Sequence, residues 1–257
     1  MALYNINGDK ISRQFDYIGN EVTVIYDIHG NQTQLNEKKF NTFSVLGDSY
    51  SAYIGTVTPT DNLCWYPSTD STAQGYGKGN NVSNPAQMWF NLFSEEYGCI
   101  LQQNNSRSGS PICNDGWGSG TTDAENYSFV ARCNDIANAE LIIVFGGTND
   151  SWIGVTQGDY IYSGWTAEDL TKYRPALAYV FATLKNNNPN STIVYVQNTG
   201  LKTEIVTANN EICNHYGVGI VALNDISKTA DHPNIYGMIQ IKDQIVDFLD
   251  TLIANAE

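Results

Sequence analysis

The sequence predicts a three-layer αβα sandwich around a mostly parallel sheet, preceded by a small N-terminal β extension. Three observations lead to this fold class. From about residue 41 onward, short apolar runs alternate with helical patterns, which is typical of strand–helix–strand units. Several of these runs are apolar throughout, as parallel strands covered on both faces should be. The length of 257 residues suits one large α/β domain with a small appendage.

The β extension covers residues 1–40, where the sequence differs from the rest of the chain. The segments YNINGDKI (4–11) and YDIHGNQT (26–33) share a Tyr-x-Ile-x-Gly pattern. Their Asn-Gly and His-Gly pairs lie between short β-prone runs and indicate hairpin turns. We expect two or three short strands in this segment. Because such a unit is only marginally stable alone, it should pack on the main domain or on another subunit, the second case giving a homo-oligomer.

The main domain, residues 41–257, contains five candidate strands and four candidate helices. The strands are FSVLG (43–47), CILQQ (99–103), ELIIVFGG (140–147), TIVYVQN (192–198) and GIVAL (219–223). The helices span 84–98, which has an Asn-Pro start signal and a terminal glycine, and also 173–189, 201–217 and 235–257. In such folds the functional residues lie outside the carboxyl ends of the strands. The long polar segments 50–83 and 104–128 are therefore expected to carry function.

Composition argues against several classes of protein. The net charge of −14, with only 13 Lys and Arg, disfavours nucleic acids and anionic membranes as partners, because both require a basic surface. The five cysteines have wide, irregular spacing and no CxxC pair, which fits neither a metal site nor a disulfide framework. No stretch approaches the ~18 apolar residues of a membrane span. The odd cysteine count and the lack of an apolar segment after Met1 favour a reduced, cytoplasmic protein, with a secreted mature form as the open alternative.

The search for a general base is short, because the sequence contains only three histidines. His29 falls in a predicted hairpin turn, and His215 lies near the end of a helix, where a positive charge favours the helix dipole. Both are expected to be structural. His232 lies in the loop between the last strand and the last helix, which should open onto the carboxyl edge of the sheet.

Ser49 is the candidate nucleophile at the same edge, since it follows the first strand in FSVLGDS. Taken alone it is an ordinary turn serine, because Gly, Asp and Ser are common turn residues. A serine hydroxyl becomes nucleophilic when an imidazole accepts its proton, and the oxyanion that forms then needs preorganised N–H donors. Gly109, after the second strand, could offer its backbone N–H, and Asn149, after the third, its side-chain amide. Gly109 could equally be a turn glycine, and Asn149 a helix cap.

Four short blocks thus follow predicted strands in chain order, namely Gly47-Asp48-Ser49, Gly109, Gly147-Thr148-Asn149-Asp150 and His232-Pro233-Asn234. Together they resemble the four blocks of the SGNH, or GDSL, hydrolase family, and the resemblance extends from about residue 43 to the C terminus. The segments FGGTNDSW, NSRSGSPIC and HPNIYGM are most similar to bacterial, gut-type members. The resemblance implies a flavodoxin-like sandwich with Ser49 as nucleophile and His232 as base. It also implies an oxyanion hole made of the Ser49 N–H, the Gly109 N–H and the Asn149 amide, and no metal or organic cofactor.

One position departs from this pattern. The family usually has an acid three residues before the histidine, and here that residue is Thr229. Asp231, Asp225 or a backbone carbonyl are the alternatives for orienting the imidazole, and an orienting acid would fix the tautomer and stabilise the imidazolium. Asp48 and Asp150 are expected to brace their loops by hydrogen bonds.

The expected activity is that of a serine esterase acting on small-acyl esters, acetyl among them, with carbohydrate esters as the candidate substrates. The aromatic residues expected to ring the site, as sugar-stacking surfaces or as loop anchors, are Trp65, Tyr66, Trp117, Trp152 and Trp165. The alternative function is a carbohydrate-binding or structural module that keeps the fold without the chemistry, which the missing acid and the β extension motivate.

Overall fold

The computed structural model describes residues 40–67, 79–117 and 122–254, together with four short strand segments nearer the N terminus. These segments are β1 (Leu3–Tyr4), β2 (Lys10–Ile11), β3 (Val24–Tyr26) and β4 (Gln32–Gln34). β1 pairs with β2 and β3 with β4, both antiparallel. The described residues of this region thus form four short strands, where two or three were expected. The two predicted turns, His29 included, lie outside the described residues.

The main sheet has five parallel strands, each close to a predicted one. They are β5 (Thr42–Gly47), β6 (Ile100–Ser106), β7 (Leu141–Gly146), β8 (Thr192–Gln197) and β9 (Gly219–Ala222), in the spatial order β6-β5-β7-β8-β9. This is the flavodoxin-like order, in which the chain turns to opposite sides of the first strand and leaves a crevice where the direction switches. That crevice lies between the carboxyl ends of β5 and β7. The predicted sandwich is confirmed.

Helices cover both faces of the sheet. They are α1 (Trp89–Tyr97), α2 (Phe129–Arg132), α3 (Thr148–Ile153), α4 (Tyr173–Asn187), α5 (Thr203–Tyr216) and α6 (Ile235–Ala254). Alternate residues of β7 enter two separate apolar cores: Ile143 and Phe145 pack with α1 and α6, whereas Ile142 and Val144 pack with α2, α4 and α5. Both faces of β7 are thus buried, which explains its unbroken apolar sequence.

One helix starts later than the sequence pattern suggests. The Asn84 side chain and Gln87 form a capping box on a 3₁₀ turn at Pro85–Gln87, and α1 begins only after Met88 leaves helical geometry. The start signal was therefore read correctly, but it caps a short turn rather than the helix itself. Gly98 ends α1 in the left-handed conformation, as the sequence indicated.

Candidate functional site

Ser49 begins a 3₁₀ turn, Ser49–Ser51, immediately beyond the carboxyl end of β5. Asp48 caps this turn, since its carboxylate accepts a hydrogen bond from the Tyr50 N–H at 3.0 Å. A Cβ on Gly47 would lie 2.4 Å from the Ser106 hydroxyl oxygen, so only glycine fits where β5 meets β6. The turn therefore delivers the serine to the sheet edge, and Ser49 is only 3 % exposed.

His232 lies beside Ser49, with 2.8 Å between its Nε2 and the Ser49 Oγ. The histidine is carried by a two-residue hairpin of β10 (Lys228–Thr229) and β11 (His232–Pro233). Ala230 and Asp231 form its turn with φ of 51° and 61°. Positive φ at both central residues is the requirement of a type I′ turn, which normally selects Asn-Gly. Because Ala and Asp are unusual there, this hairpin was not visible in the sequence.

A backbone carbonyl orients the imidazole. His232 Nδ1 lies 3.1 Å from the Ala230 carbonyl oxygen, across the hairpin turn. Among the described residues, no carboxylate makes a hydrogen bond to the ring, and the hydrogen bonds of Asp231 and Asp225 use their backbone carbonyls. Of the alternatives open at the sequence level, the geometry therefore selects the carbonyl. A carbonyl can only accept a hydrogen bond, so Nδ1 carries the proton and Nε2 is free to accept one from Ser49.

The surroundings of His232 favour the neutral form of its imidazole. Burial lowers the pKa of His232 to about 4, an effect to which nearby Lys228 adds, while the Ala230 carbonyl and the Asp231 charge oppose it. A neutral imidazole is the form that can act as a base. The unprotonated state is therefore expected to persist well below neutral pH.

Aromatic rings surround His232. Trp65 lies face to face with it, at 3.9 Å between ring centroids and an interplanar angle of 6°. Tyr50 is tilted at 5.1 Å, while Trp152 and Tyr66 present edges at 6.0 and 6.4 Å. Such packing excludes water from the ring and accounts for much of its desolvation.

Side chains from distant segments hold the histidine hairpin in place. The Tyr50 hydroxyl donates to the Asp231 carbonyl at 2.6 Å, and the Tyr66 hydroxyl to the Pro233 carbonyl at 2.7 Å. The buried Asn80 amide donates to the His232 and Pro233 carbonyls at 3.2 and 3.0 Å. Tyr50 directly follows Ser49, so one residue links the serine turn to the histidine hairpin.

The three N–H groups that the sequence analysis predicts for an oxyanion hole lie at neighbouring strand ends. Among described residues, none accepts a hydrogen bond from the Ser49 or the Gly109 N–H. Gly109 has a φ of 75°, which favours glycine, and its carbonyl accepts from the Trp117 indole at 3.1 Å. One N–H of the Asn149 amide donates to the Ser110 carbonyl at 3.0 Å. The second N–H of the same amide has no acceptor in the described part of the chain.

Arg132, which the sequence analysis did not single out, holds the segments that carry these groups together by hydrogen bonds. Its guanidinium is buried and donates to the Gly47 carbonyl at 3.1 Å, to the Ser110 hydroxyl at 2.8 Å and to the Asn105 carbonyl. It thereby joins the ends of β5 and β6 to the loop that carries Gly109. Burial lowers the pKa of Arg132 to about 9, which leaves it charged at neutral pH.

Asp48 and Asp150 are both fully buried, and both brace loops as expected. Asp150 accepts from the backbone N–H groups of Ile112 and Cys113 at 2.8 and 3.3 Å, so it ties α3 to the loop after β6. Burial raises the pKa of Asp150 to about 6 and that of Asp48 to about 7. The Asp48 Oδ2 atom has no hydrogen-bond partner in the described part of the chain. Both carboxyls are thus tuned by desolvation.

Other predicted residues lie away from this cluster. Trp165 packs against Tyr179 of α4 rather than at the site, and its indole donates to the Ile161 carbonyl at 2.9 Å. His215 stacks on Tyr162 at 3.7 Å, which fits the structural role expected of it. All five cysteines are buried, and burial next to Asp150 raises the pKa of the Cys113 thiol well above its usual value.

The described residues contain neither a metal-binding cluster nor a membrane-spanning helix. No group of three or more His, Cys, Asp or Glu side chains among them is arranged to hold a metal ion. In the same part of the chain, each helix is too short or too polar to cross a membrane.

Known proteins resemble this chain over most of its length. The family model for GDSL-like Lipase/Acylhydrolase matches residues 41–249. A GDSL-like lipase of Bacteroides ovatus is 38% identical, with a TM-score of 0.77 over 83% of this chain and 99% of that one. The corresponding protein of Bacteroides uniformis is also 38% identical, with a TM-score of 0.78 over 85% of this chain and 100% of that one.

A more distant structure shares the fold. It is a carbohydrate esterase whose active site displays divergent catalytic and non-catalytic binding functions, 14% identical with a TM-score of 0.56 over 86% of this chain and 71% of that one. No curated protein sequence gives a match. The family match and the two Bacteroides structures confirm the resemblance found in the sequence: the chain belongs to the GDSL-like lipase/acylhydrolase family and is a hydrolytic serine esterase.

Proposed function

We propose that the protein hydrolyses small-acyl esters, acetyl esters of carbohydrates in particular, with Ser49 as nucleophile and His232 as general base. The observation that carries this proposal is the 2.8 Å contact between Ser49 Oγ and His232 Nε2 in a buried pair whose Nδ1 meets a carbonyl oxygen. That arrangement leaves Nε2 as the only ring nitrogen able to accept the serine proton.

The reaction follows from these positions. Ser49 Oγ attacks the ester carbonyl carbon while its proton passes to His232 Nε2, and the carbonyl π bond becomes a tetrahedral oxyanion. The N–H groups of Ser49 and Gly109 and the free N–H of Asn149 donate to that oxygen. The imidazolium then protonates the departing alcohol oxygen and an acyl-serine remains. Water, deprotonated by His232, attacks the acyl-serine, and collapse returns Ser49 and releases the carboxylic acid.

The substrate class is inferred from the surroundings of the serine. Trp152 near His232 and Trp117 at Gly109 are 44 % and 48 % exposed, so indole surface is available at two positions around the pair. Exposed indoles suit the apolar faces of sugar rings. Ser49 is itself almost wholly covered, which favours a small acyl group. The carbohydrate esterase that shares the fold adds support for a sugar alcohol.

Covalent labelling with a fluorophosphonate tests the chemistry directly. We expect labelling of the wild type at Ser49, mapped by peptide mass spectrometry, and none in Ser49→Ala. The control is Ser51→Ala, which changes a serine of the same 3₁₀ turn whose hydroxyl accepts from the Trp89 indole at 3.0 Å and does not contact His232. Labelling at another residue, or equal hydrolysis by wild type and Ser49→Ala, would contradict the assignment.

The substrate is tested separately with an ester panel. Aryl acetate, butyrate and octanoate should be hydrolysed with kcat/KM falling as the acyl chain lengthens, and acetylated oligosaccharides should release acetate. Trp152→Ala should raise KM for the acetylated oligosaccharide more than for aryl acetate. A preference for octanoate, or equal effects of Trp152→Ala on both alcohols, would refute the small-acyl and carbohydrate parts respectively.

A further inference from the structure

The closest ring contact of His232 is with Trp65, and its geometry is unusual. The two rings are parallel within 6° and their centroids are 3.9 Å apart, so the imidazole lies over the face of the indole. Trp65 is only 3 % exposed. The other three rings near His232 lie at angles of 57° to 77° and distances of 5.1 to 6.4 Å. Among the described aromatics, therefore, Trp65 alone presents its face to the imidazole at close range.

This contact matters because the proposed reaction places a positive charge on the imidazole. In a Ser-His-Asp arrangement a buried carboxylate stabilises the imidazolium. Here the Nδ1 partner is the neutral Ala230 carbonyl. Among the described residues, the charged groups that act on the ring are Asp231, which favours the imidazolium, and Lys228, which opposes it. Tyr50 and Tyr66 contribute ring edges or tilted faces but no negative charge at neutral pH.

The face of an indole carries partial negative charge and attracts a cation lying within about 6 Å of its centre. The attraction strengthens when water is excluded, as it is between two buried rings. A neutral imidazole gains little from it, whereas an imidazolium gains much more. The contact is therefore stronger in the transition state than in the resting enzyme, which is the condition for accelerating a reaction.

We infer that the Trp65 indole face takes over the charge-stabilising role of the acid that Thr229 replaces, by a cation–π interaction with the His232 imidazolium. Trp65 is in this sense a positioning residue, because it acts on the reacting atoms through His232. The inference rests on the proposed function, in which His232 accepts the proton of Ser49.

The segment around Trp65 is anchored well enough to hold this geometry. The Tyr66 N–H donates to the Ala52 carbonyl at 3.1 Å, and the Ile54 N–H donates to the Tyr66 carbonyl at 2.9 Å. The Tyr66 ring meets the indole edge on, at 4.5 Å between centroids. Trp65 is thus tied to the same turn that presents Ser49, so its face stays over the imidazole.

Fluorinated tryptophan separates charge stabilisation from packing, because fluorine withdraws electron density from the indole face with little change in shape. Protein is produced with tryptophan carrying zero, one, two or four fluorines, in wild-type, Trp65→Phe and Trp152→Phe backgrounds. We expect the wild-type kcat/KM to fall stepwise, by about threefold to tenfold at four fluorines. The acid limb of its pH–rate profile should move to lower pH at the same time, since the imidazolium loses stabilisation.

Comparing the three backgrounds shows which tryptophan causes the stepwise fall in kcat/KM. The stepwise fall should disappear in Trp65→Phe and persist in Trp152→Phe, whose indole meets the imidazole at 62° and 6.0 Å. Trp65→Tyr replaces Trp65→Phe should the latter fail to fold. A flat response in the wild type, or an unchanged slope in both Trp65 variants, would overturn the inference while Ser49 labelling stayed intact. Loss of Ser49 labelling would instead overturn the proposed function.

Discussion

The two halves of the site are built in different ways. On the serine side, Ser49, Gly109 and Asn149 follow three adjacent parallel strands and rest on the buried ionic groups of Arg132 and Asp150. On the histidine side, a two-residue hairpin carries the ring, and hydroxyl and amide donors from distant segments hold that hairpin by its backbone carbonyls. The ring itself meets the Ala230 carbonyl and the face of Trp65. The first half is fixed by sheet topology and charge. The second depends on neutral contacts from distant segments, which lets His232 remain unprotonated.

The strongest test of this comparison removes one group from each half. His232→Ala should lower kcat by on the order of 10³-fold or more, nearly as much as Ser49→Ala, because the two side chains act as one unit. The double variant should be no worse than the more damaged single variant. The measurement is kcat for an aryl acetate at about pH 7, with active protein quantified independently of turnover.

Additive losses in the double variant would indicate that the serine and the histidine act in separate steps. His215→Ala is the matched control, since His215 stacks on Tyr162 away from the site and should leave kcat unchanged.

Arg132→Met should damage the serine half selectively. The buried guanidinium donates to groups at the ends of two strands and to the loop bearing Gly109, so its loss leaves those oxygens unpaired and lets the N–H donors shift. We expect kcat to fall by about 10-fold to 100-fold and the free energy of unfolding to drop by about 2–4 kcal/mol. Both are measured well below the melting temperature of the variant.

Arg174→Met provides the matched comparison. Arg174 also donates to a carbonyl, that of Gly158 at 3.1 Å, and lies over the Tyr160 ring, but it does so at the start of α4. This control should lose stability without losing kcat. If Arg132→Met behaved in the same way, the brace would serve stability alone.

The difference between the serine half and the histidine half also explains which parts of the site the sequence could predict. The five strands, and the positions of Ser49, Gly109 and Asn149 after three of them, were predictable from the sequence, because the carboxyl ends of parallel strands meet at one edge of the sheet. The partner of His232 was left open. The Ala230 carbonyl meets the ring because Ala230 has a positive φ, which an alanine in a sequence does not predict. The hairpin is also held by Asn80, which is 152 residues away from His232 in the chain. Arg132 was missed because it lies outside the predicted strands and helices, and because its hydrogen-bond partners are distant from it in the sequence.

Thr229→Asp should bring the histidine side of the site closer to a Ser-His-Asp arrangement, in which a carboxylate lies beside the imidazole. Thr229 is the cross-strand partner of His232, so a carboxylate placed there lies beside the imidazole on the same face of the hairpin. A nearby negative charge raises the pKa of a histidine, here from the value of about 4 that burial imposes. The acid limb of the pH–rate profile should therefore move up by about one pH unit or more.

The direction in which the acid limb moves distinguishes Thr229→Asp from the wild type and from Thr229→Asn. The wild type needs neutral His232 and should keep most of its activity at about pH 5, where Thr229→Asp should have lost a larger fraction of its own maximum. Thr229→Asn, neutral and of similar shape, should leave the limb where it is. An unmoved limb in Thr229→Asp would show that position 229 does not reach the ring.

The smallest expected effect comes from the strained turn itself. Ala230 has a φ of 51° and is exposed. Replacing its methyl group with the hydrogen of glycine therefore removes little packing. Left-handed geometry costs an alanine about 1–2 kcal/mol, and the greater freedom of glycine in the unfolded chain offsets roughly 0.5–1 kcal/mol of that gain. Ala230→Gly should thus raise the free energy of unfolding by up to about 1.5 kcal/mol, measured by urea titration. The carbonyl that meets Nδ1 is kept, so kcat should not change.

Ala230→Val should destabilise the turn and lower kcat, since a β-branched residue tolerates positive φ poorly and would displace that carbonyl. A lower kcat in the stabilised Ala230→Gly variant would mean that the rigidity of alanine, and not the carbonyl alone, aims His232 at Ser49.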